Sequence, residues 1–319
     1  MYSRYRLAQK YLHYYFTAAN GKGHGVHSPF VFDFILHVLN DRAAYPDYAA
    51  IEGLRRRLRV DGTLLEIEDL GAGSAWKAPR QRSVGDITRR AAKPAKLGQL
   101  LYRVARYYRP ARVVELGTSL GFSTAYLAAG VRGGGTAAAV GSEGAAGTGV
   151  AWDGRDVSAG AAVGGGIGVN GGDVIGAGAE AKGSVGAGGR VWSIEGSGQV
   201  AAVAERNLGS LGLEAKVVVG NFDLVLPGVL EEMGCVDLAF IDGNHRRDPT
   251  LVYFNELMKH AGRPAVLIFD DIHWSAEMEE AWEVIKNDPR VYLTIDLFFI
   301  GLVFFREEFK VKQDFVIRF

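Results

Sequence analysis

The chain has 319 residues, 48% of them hydrophobic, which is enough for the core of one large domain or one domain with additions. Lysine plus arginine and aspartate plus glutamate number 36 each, so the net charge favours neither nucleic acid nor anionic lipid, and no nucleic-acid partner is expected. The one cysteine, Cys235, precedes an apolar run and is interpreted as a packed core thiol. A single cysteine excludes a disulfide framework and a thiolate metal site.

The first region of the chain, residues 1–95, has the pattern of a helical N-terminal extension. Residues 1–16 mix basic and aromatic side chains and lack the features of a signal peptide. No segment reaches the roughly 18 apolar residues of a membrane span, so a cytoplasmic protein is expected. The aromatic helix over residues 1–16 is expected to dock on the main domain or on a second subunit, so the sequence is compatible with a homodimer. Ser28 is predicted to cap a helix that begins at Pro29, and His24 and His27 are interpreted as cap and packing groups.

From residue 96 onward, short apolar runs alternate with helical stretches, which is typical of a parallel sheet covered by helices. The last two runs are separated by almost nothing, so they must pair as an antiparallel hairpin. This pattern predicts an α/β domain over residues 96–319 with a seven-stranded sheet. The predicted strands span residues 111–116, 190–195, 215–220, 236–242, 265–270, 291–299 and 301–306.

A glycine-rich tract interrupts this domain. Between Ala129 and Arg190 lie 22 of the 43 glycines, with few large apolar side chains to offset the entropy of ordering them. We interpret residues 132–189 as a flexible insertion after the first helix of the sheet. The G-x-G-x-x-G match at 166–171 is expected by chance there and neither follows a strand nor opens a helix. The similar stretch "EDLGAGS" at 68–74 is interpreted as a turn, because a proline and little helical periodicity follow it.

A more specific glycine loop is "VVELGTSLGFSTAYLAAG", Val113–Gly130, in which a strand leads through the loop into a helix. Glycines let the backbone approach a ligand at the carboxyl edge of the first strand, where open α/β sheets bind cofactors. The spacing E-x-G-x-x-x-G differs from the pyrophosphate fingerprint and suits a ligand without phosphates. The candidate cofactor contacts of this loop are Glu115, Gly117, Thr118, Gly121 and Ser123.

The next two strands end in further candidate cofactor contacts. Glu195, followed by Gly196, stands at the tip of the second strand, where an acid grips a ribose diol. Removal of the glycine-rich tract restores the usual interval between the glycine loop and this acid. After the third strand, Asn221 and Phe222 are placed to meet an adenine by hydrogen bonding and stacking.

Three acids end the fourth and fifth strands: Asp242 in "FIDGNH", and Asp270 and Asp271 in "LIFDDIHW". Parallel strand tips share one edge, so these carboxylates converge and would repel each other unless they share a cation. Their oxygen atoms suit Mg²⁺ or Mn²⁺, and all three are candidate metal ligands. His245 is the candidate base for a metal-held hydroxyl. Alternatively, Asp271 caps the following helix and His273 orients a carboxylate.

The motifs "ELGTSLGFST", "IEGS", "FIDGNH" and "LIFDDIHW" occur in the order found in class I S-adenosylmethionine-dependent methyltransferases, which the chain resembles over residues 96–306 without the glycine-rich tract. The resemblance implies a Rossmann-like seven-stranded sheet with an antiparallel C-terminal hairpin, and S-adenosylmethionine as cofactor. Asp242 and His245 are similar to the acid and base of metal-dependent O-methyltransferases of the macrolide-sugar type. Asp270 and Asp271 are similar to an Asp pair that these enzymes carry later in the chain.

The resemblance also implies the class of acceptor. The catechol type usually has lysine as base and often asparagine as the second acid, so a sugar or polyol hydroxyl fits better than a catechol. The stretch "AKLGQLLYRVARYY" is similar to the helix that covers the cofactor in this family, with Lys96, Gly98 and Gln99 as contacts. The reaction that this resemblance implies is metal-assisted O-methylation of a small-molecule hydroxyl.

Two other classes of protein compete with this reading. A nicotinamide-dependent oxidoreductase would also be α/β with an acid after the second strand, but it needs pyrophosphate-type glycine spacing and usually a parallel sixth strand. A non-catalytic S-adenosylmethionine-binding protein would keep the fold and lose the acids and His245. The pyrophosphate-type spacing is missing at the first strand, and a parallel sixth strand is missing too. The acids and His245 are present, which argues against a non-catalytic protein, but the large insertion beside the cofactor site keeps that alternative open.

Overall fold

The computed structural model describes residues 1–19, 21–23, 26–67, 80–90, 92–133 and 189–319. Nearly all of the predicted insertion, the glycine motifs at 68–74 and 166–171, and His24 lie outside the described residues. In the described part of the chain, no helix combines the length and the apolar character that a membrane span requires.

The helices surround one large sheet, and of those described, five α-helices and a π-helical turn precede its first strand in the chain. In chain order they are α1 (Arg4–Thr17), α2 (Pro29–Phe34), a π-helical turn (Ile35–Leu39), α3 (Pro46–Leu58), α4 (Val84–Arg90), α5 (Ala95–Tyr108), α6 (Phe122–Arg132), α7 (Gly198–Ser210), α8 (Phe222–Met233), α9 (Arg247–His260) and α10 (Ala276–Asn287).

The strands form a small hairpin and, within the described residues, one eight-stranded sheet. They are β1 (Leu64–Ile67), β2 (Arg80–Ser83), β3 (Arg112–Leu116), β4 (Arg190–Glu195), β5 (Lys216–Val219), β6 (Val236–Ile241), β7 (Ala261–Asp270), β8 (Leu293–Asp296), β9 (Ile300–Phe305) and β10 (Gln313–Val316). β1 and β2 pair antiparallel, and the large sheet has the order β10-β8-β9-β7-β6-β3-β4-β5. Only β9 runs against its neighbours, β7 and β8.

The centre of the sheet is apolar on both faces. Every residue of β6 is buried, as is every residue of β9, because helices or the N-terminal extension cover both sides of the sheet. Sheets of mainly parallel strands are buried on both faces for this reason. The long apolar runs therefore fix where the strands end, and the strand ends position the site.

The C-terminal antiparallel hairpin predicted from the sequence is confirmed by the pairing of β8 with β9. The strand count was wrong, because β10 adds an eighth strand parallel to β8. β10 has only four residues with alternating exposure, so it lacks a continuous apolar run. The extension is also not purely helical, since it contains the β1–β2 hairpin.

The N-terminal helix α1 docks on the body of the same chain. The ring of Tyr11 stacks on Phe299 and meets the edge of Phe298 at centroid distances of 5.7 and 5.1 Å. Tyr14 is buried, and its hydroxyl donates to the carbonyl of Ile317 and accepts from the amide of Phe319 at 3.1 Å. Tyr11 and Tyr14 thus pack on the hairpin turn and the C-terminus.

The next helix, α2, begins at Pro29 as predicted. Ser28 occupies the position before its first turn, but its side chain makes no capping hydrogen bond.

We expect Tyr14→Phe to lower the free energy of unfolding by about 1–3 kcal/mol, because it leaves two buried backbone groups without a partner. Denaturant unfolding measures this change. Tyr5→Phe is the matched control on the same helix, since Tyr5 is 73% exposed, and it should change stability by less than about 0.5 kcal/mol. Equal stability of the two variants would contradict the docking of α1.

Candidate active site

The carboxyl ends of β3, β4, β6 and β7 meet at one edge of the sheet and line a pocket of about 480 Å³. The N-terminal extension closes it from above through Ile67, Arg82, Ile87, Arg90 and Lys93. This roof was not predicted from the sequence. The predicted site residues that line the pocket are Gly117, Glu195, Gly196, Asn221, Phe222, Asp242, His245 and Asp271.

Gly117 permits the close approach of the glycine loop to the tip of β6. Its φ is +107°, and a Cβ atom at this position would lie 2.1 Å from the backbone oxygen of Asp242. Only glycine fits there without moving backbone. Gly121, with φ +83°, ends the loop and starts α6 against Ala204.

We expect Gly117→Ala to lower the free energy of unfolding by about 2–4 kcal/mol, because a positive φ and a collision with backbone add their costs. Gly228→Ala is the control: a Cβ there meets nothing within 4 Å, and in the helix α8 the alanine should stabilise by about 0.5–1 kcal/mol. Thermal or denaturant unfolding compares the two, and equal effects would contradict the packing of the loop.

Glu195 at the tip of β4 faces the pocket with its carboxylate held in place. The amide of Ser119 donates to its Oε2 at 2.8 Å, and the amide of Ser197 donates to its Oε1 at 3.0 Å. Burial raises the pKa of Glu195 in spite of these donors. Each carboxylate oxygen keeps a second lone pair, so the group can still accept two hydrogen bonds from a ligand.

Asn221 and Phe222 lie at the start of α8, beside Glu195. The side chain of Asn221 accepts from the amide of Asp223 at 2.9 Å, so it caps the helix. The ring of Phe222 meets Tyr253 edge-on at 5.8 Å and covers Gly243. An aromatic face and a polar side chain therefore border the same end of the pocket.

The predicted cofactor contacts Glu115, Thr118 and Ser123 are buried and do not line this pocket. Glu115 accepts hydrogen bonds from Thr124 and, at 2.6 Å, from Ser193. Burial raises its pKa to about 7, although these hydroxyl groups oppose the shift. The side chain of Glu115 is thus bonded to α6 and β4 on either side of the glycine loop.

The cofactor contacts predicted on α5 lie outside the lining of this pocket. Lys96 lies 4.1 Å above the ring of Phe319, the backbone of Gly98 packs against Tyr126, and the carbonyl of Gln99 accepts from Tyr48. None of the three lines the pocket. Lys93, in the segment just before this helix, lines it instead.

The three predicted metal ligands surround the ammonium group of Lys93. Its Nζ contacts Oδ2 of Asp270, lies 3.1 Å from Oδ1 of Asp242 and lies 3.9 Å from Oδ2 of Asp271. The Lys93 side chain is only 16% exposed. Sequence analysis missed this residue because it lies in a loop without periodicity, 177 positions from Asp270.

The charges in this cluster are strongly coupled. Burial opposes the charge of Lys93, but the three aspartates outweigh it and raise the pKa of the ammonium. Burial likewise opposes ionisation of Asp242, yet Lys93 and His245 hold its pKa below the ordinary value. Burial and the charge of Asp242 hold the pKa of Asp270 well above its ordinary value. The ammonium of Lys93 is therefore the positive charge that these carboxylates share.

The predicted divalent-cation site fits this arrangement poorly. Ligand atoms of Asp242, His245 and Asp270 lie within 4.8 Å of one another, but Asp271 is not part of that set. The ammonium of Lys93 already contacts the two aspartates that such a cation would need. The buried Oδ1 of Asp270 has no hydrogen-bond partner, which is the one feature in favour of an additional cation.

His245 stands at the pocket wall beside Asp242. Its Nε2 lies 3.5 Å from Oδ1 of Asp242, and the side chain is 31% exposed. A neighbouring carboxylate orients an imidazole and stabilises it once protonated, as a general base requires.

The second histidine, His273, points away from this cluster. Its Nε2 lies 2.8 Å from Asp296 and its Nδ1 lies 3.0 Å from Glu279. The alternative that His273 orients carboxylates is therefore confirmed. Asp271 does not cap α10, because Ser275 accepts from Met278 at that position.

Residues 114–272 match the sequence profile of a methyltransferase domain, a range that begins within β3 and ends just past the Asp270–Asp271 pair. The chain belongs to the class I S-adenosylmethionine-dependent methyltransferases. The match covers the glycine loop, Glu195 and the acidic cluster, and it does not favour an oxidoreductase. No curated protein sequence matches the chain.

Several solved structures resemble the chain at low identity. Cofactor-bound Rv0187 from MTB is 20% identical, with 88% of this chain and 99% of that chain covered and a TM-score of 0.49. An O-methyltransferase from Bacillus cereus in complex with SAH is 17% identical, with 86% and 97% covered and a TM-score of 0.44. The O-methyltransferase TomG from Streptomyces achromogenes, in complex with SAM, is 16% identical, with 86% and 95% covered and a TM-score of 0.46. These likenesses carry no information about the substrate of this methyltransferase.

Proposed function

We propose that this methyltransferase transfers the methyl group of S-adenosylmethionine to a hydroxyl oxygen of a small molecule. The observation that carries the proposal is the position of His245 and Asp242 in the same pocket as Glu195. The volume of the pocket, about 480 Å³, lies within the range of small-molecule sites. One pocket would thus hold the donor and a small acceptor side by side.

The donor would lie along the strand tips. Glu195 would accept hydrogen bonds from the ribose hydroxyls, and Asn221 and Phe222 would border the adenine. The backbone around Gly117 and Gly196 would lie against the rest of the nucleoside. The sulfonium end would then point toward Asp242 and His245.

The chemistry needs one proton acceptor beside a placed hydroxyl. His245 would take the hydroxyl proton, the oxygen would attack the methyl carbon, and the S–CH₃ bond would break with its electrons going to sulfur. The products are a methyl ether, S-adenosylhomocysteine and a protonated imidazole. Asp242 would stabilise that imidazolium through its nearby Oδ1.

Metal assistance, as predicted from the sequence, is the alternative form of this proposal. Asp242, His245 and Asp270 would hold Mg²⁺ or Mn²⁺, and the ion would supply positive charge to the acceptor oxygen. The unpartnered Oδ1 of Asp270 favours this form, and the place of Lys93 between the carboxylates opposes it.

Incubation with methyl-labelled S-adenosylmethionine and a panel of sugars, polyols, catechols, amines and thiols tests the proposal, once with Mg²⁺ and once with a chelator. We expect label in a methyl ether of at least one hydroxyl compound. Donor binding without transfer to any hydroxyl, combined with transfer to an amine or a thiol, would overturn it. Activity that is lost in the presence of the chelator would indicate the metal-assisted form of the proposal, and activity that is kept would indicate the metal-free form.

A further inference from the structure

The ammonium of Lys93 has one hydrogen-bond donor to spare. Its Nζ donates a hydrogen bond to Asp270 and forms an ion pair with Asp242 at 3.1 Å, while Asp271, at 3.9 Å, is beyond hydrogen-bond distance, so at least one of its three protons is left over. Among the described residues no further partner contacts it. Lys93 nevertheless lines the pocket, so the third proton has a ligand space beside it.

The same oxygen of Asp242 joins Lys93 to the candidate base. Oδ1 of Asp242 lies 3.1 Å from Nζ of Lys93 and 3.5 Å from Nε2 of His245. A single hydroxyl placed beside this oxygen can therefore meet a positive donor on one side and an imidazole on the other. A lysine that only neutralised buried acids would not need to face the pocket next to His245.

We propose that Lys93 is a catalytic residue whose ammonium takes the role expected of a divalent cation, so that methyl transfer proceeds without metal. The proposal rests on O-methylation as the function of the site. Lys93 donates a hydrogen bond to the acceptor oxygen and stabilises the negative charge that develops as His245 removes the proton. The oxygen then forms the new O–CH₃ bond, the S–CH₃ bond breaks, and Lys93 keeps its own proton throughout.

Titration with Mn²⁺, followed by electron paramagnetic resonance on the enzyme saturated with S-adenosylhomocysteine, tests the cation role without any acceptor. We expect weak binding to the native enzyme and at least about tenfold tighter binding to Lys93→Gln, because the aspartates lose their ammonium partner. Lys96→Gln is the control, since Lys96 lies outside the pocket, and should match the native enzyme. Tight Mn²⁺ binding to the native enzyme, or no gain in Lys93→Gln, would overturn the proposal.

Kinetics with the best hydroxyl acceptor of the panel test the catalytic role. We expect equal native rates with chelator and with Mg²⁺, and a loss of about 10²–10³-fold in kcat for Lys93→Gln with the dissociation constant for S-adenosylhomocysteine changed less than about twofold. Loss of native activity in chelator, or full activity in Lys93→Gln, would contradict it. If the native enzyme methylates no hydroxyl, the proposed function fails, and the Mn²⁺ titration still judges the cation role.

A chemical rescue controls for misfolding. Lys93→Cys is made in a Cys235→Ser background, because Cys235 is the one natural cysteine of the chain. Treatment with bromoethylamine then rebuilds an ammonium at position 93. We expect the rate to rise at least about tenfold after this treatment, because the new ammonium again donates a hydrogen bond to the acceptor oxygen. A folded, aminoethylated protein without recovered activity would refute the catalytic role of Lys93.

Discussion

Glu195→Ala will raise the dissociation constant for S-adenosylmethionine by roughly 30- to 1000-fold, which corresponds to about 2–4 kcal/mol. The reason is that the variant loses two charge-assisted hydrogen bonds to the ribose diol. The amides of Ser119 and Ser197 already orient the carboxylate, so little side-chain entropy is lost when the donor binds. Isothermal titration calorimetry measures the constant directly.

Two further variants complete the Glu195 experiment, one with an intermediate expected affinity and one as a control. Glu195→Gln keeps the size of the side chain and one acceptor oxygen, and its affinity should fall between those of the native enzyme and the alanine variant. Glu205→Ala removes an exposed acid from the adjoining helix α7 and should leave the constant unchanged. An unchanged constant in Glu195→Ala would mean that another residue binds the ribose.

His245→Ala will lower kcat by about 10²–10⁴-fold, which is the usual contribution of a general base. The dissociation constant for S-adenosylmethionine should stay within about twofold of the native value. The reason is that the imidazole lies beside Asp242, away from Glu195, which is the proposed ribose ligand. Single-turnover transfer from labelled donor separates the chemical step from binding.

His260→Ala is the matched control for His245→Ala. His260 ends α9 on the surface, where its Nδ1 lies 3.3 Å from the carbonyl of Gly234. Activity of this variant should equal that of the native enzyme. If His245→Ala also retains full activity, then another group removes the proton and the proposed mechanism is wrong.

The sheet was predictable because its strands are buried on both faces. The runs "LAFI" in β6 and "AVLIF" in β7 are uninterrupted and apolar, so the sequence indicates where each strand ends and which acid stands at its tip. The short strand β10 lacks such a run, and its four residues pair only through the tertiary placement of β8. Periodicity cannot reveal an edge strand of this kind.

The site was predictable only in part, for a related reason. Asp242, Asp270 and Asp271 converge because parallel strands bring their tips together. Lys93 reaches them from the segment between α4 and α5, and no local pattern points a loop lysine toward acids so distant in sequence. Sequence reasoning therefore identified the negative charges and supplied a metal ion as the missing cation. A strand-tip acid can also turn inward, as Glu115 does toward Thr124 and Ser193, and no local pattern indicates that direction.

A crystal structure of the enzyme with S-adenosylhomocysteine tests the account most directly. We predict ribose oxygens within about 2.5–3.2 Å of the Glu195 carboxylate and a sulfur atom that faces the cleft between His245 and Lys93. A nucleoside bound elsewhere, or a sulfur atom turned away from these two side chains, would contradict the shared donor and acceptor pocket on which the proposed chemistry depends.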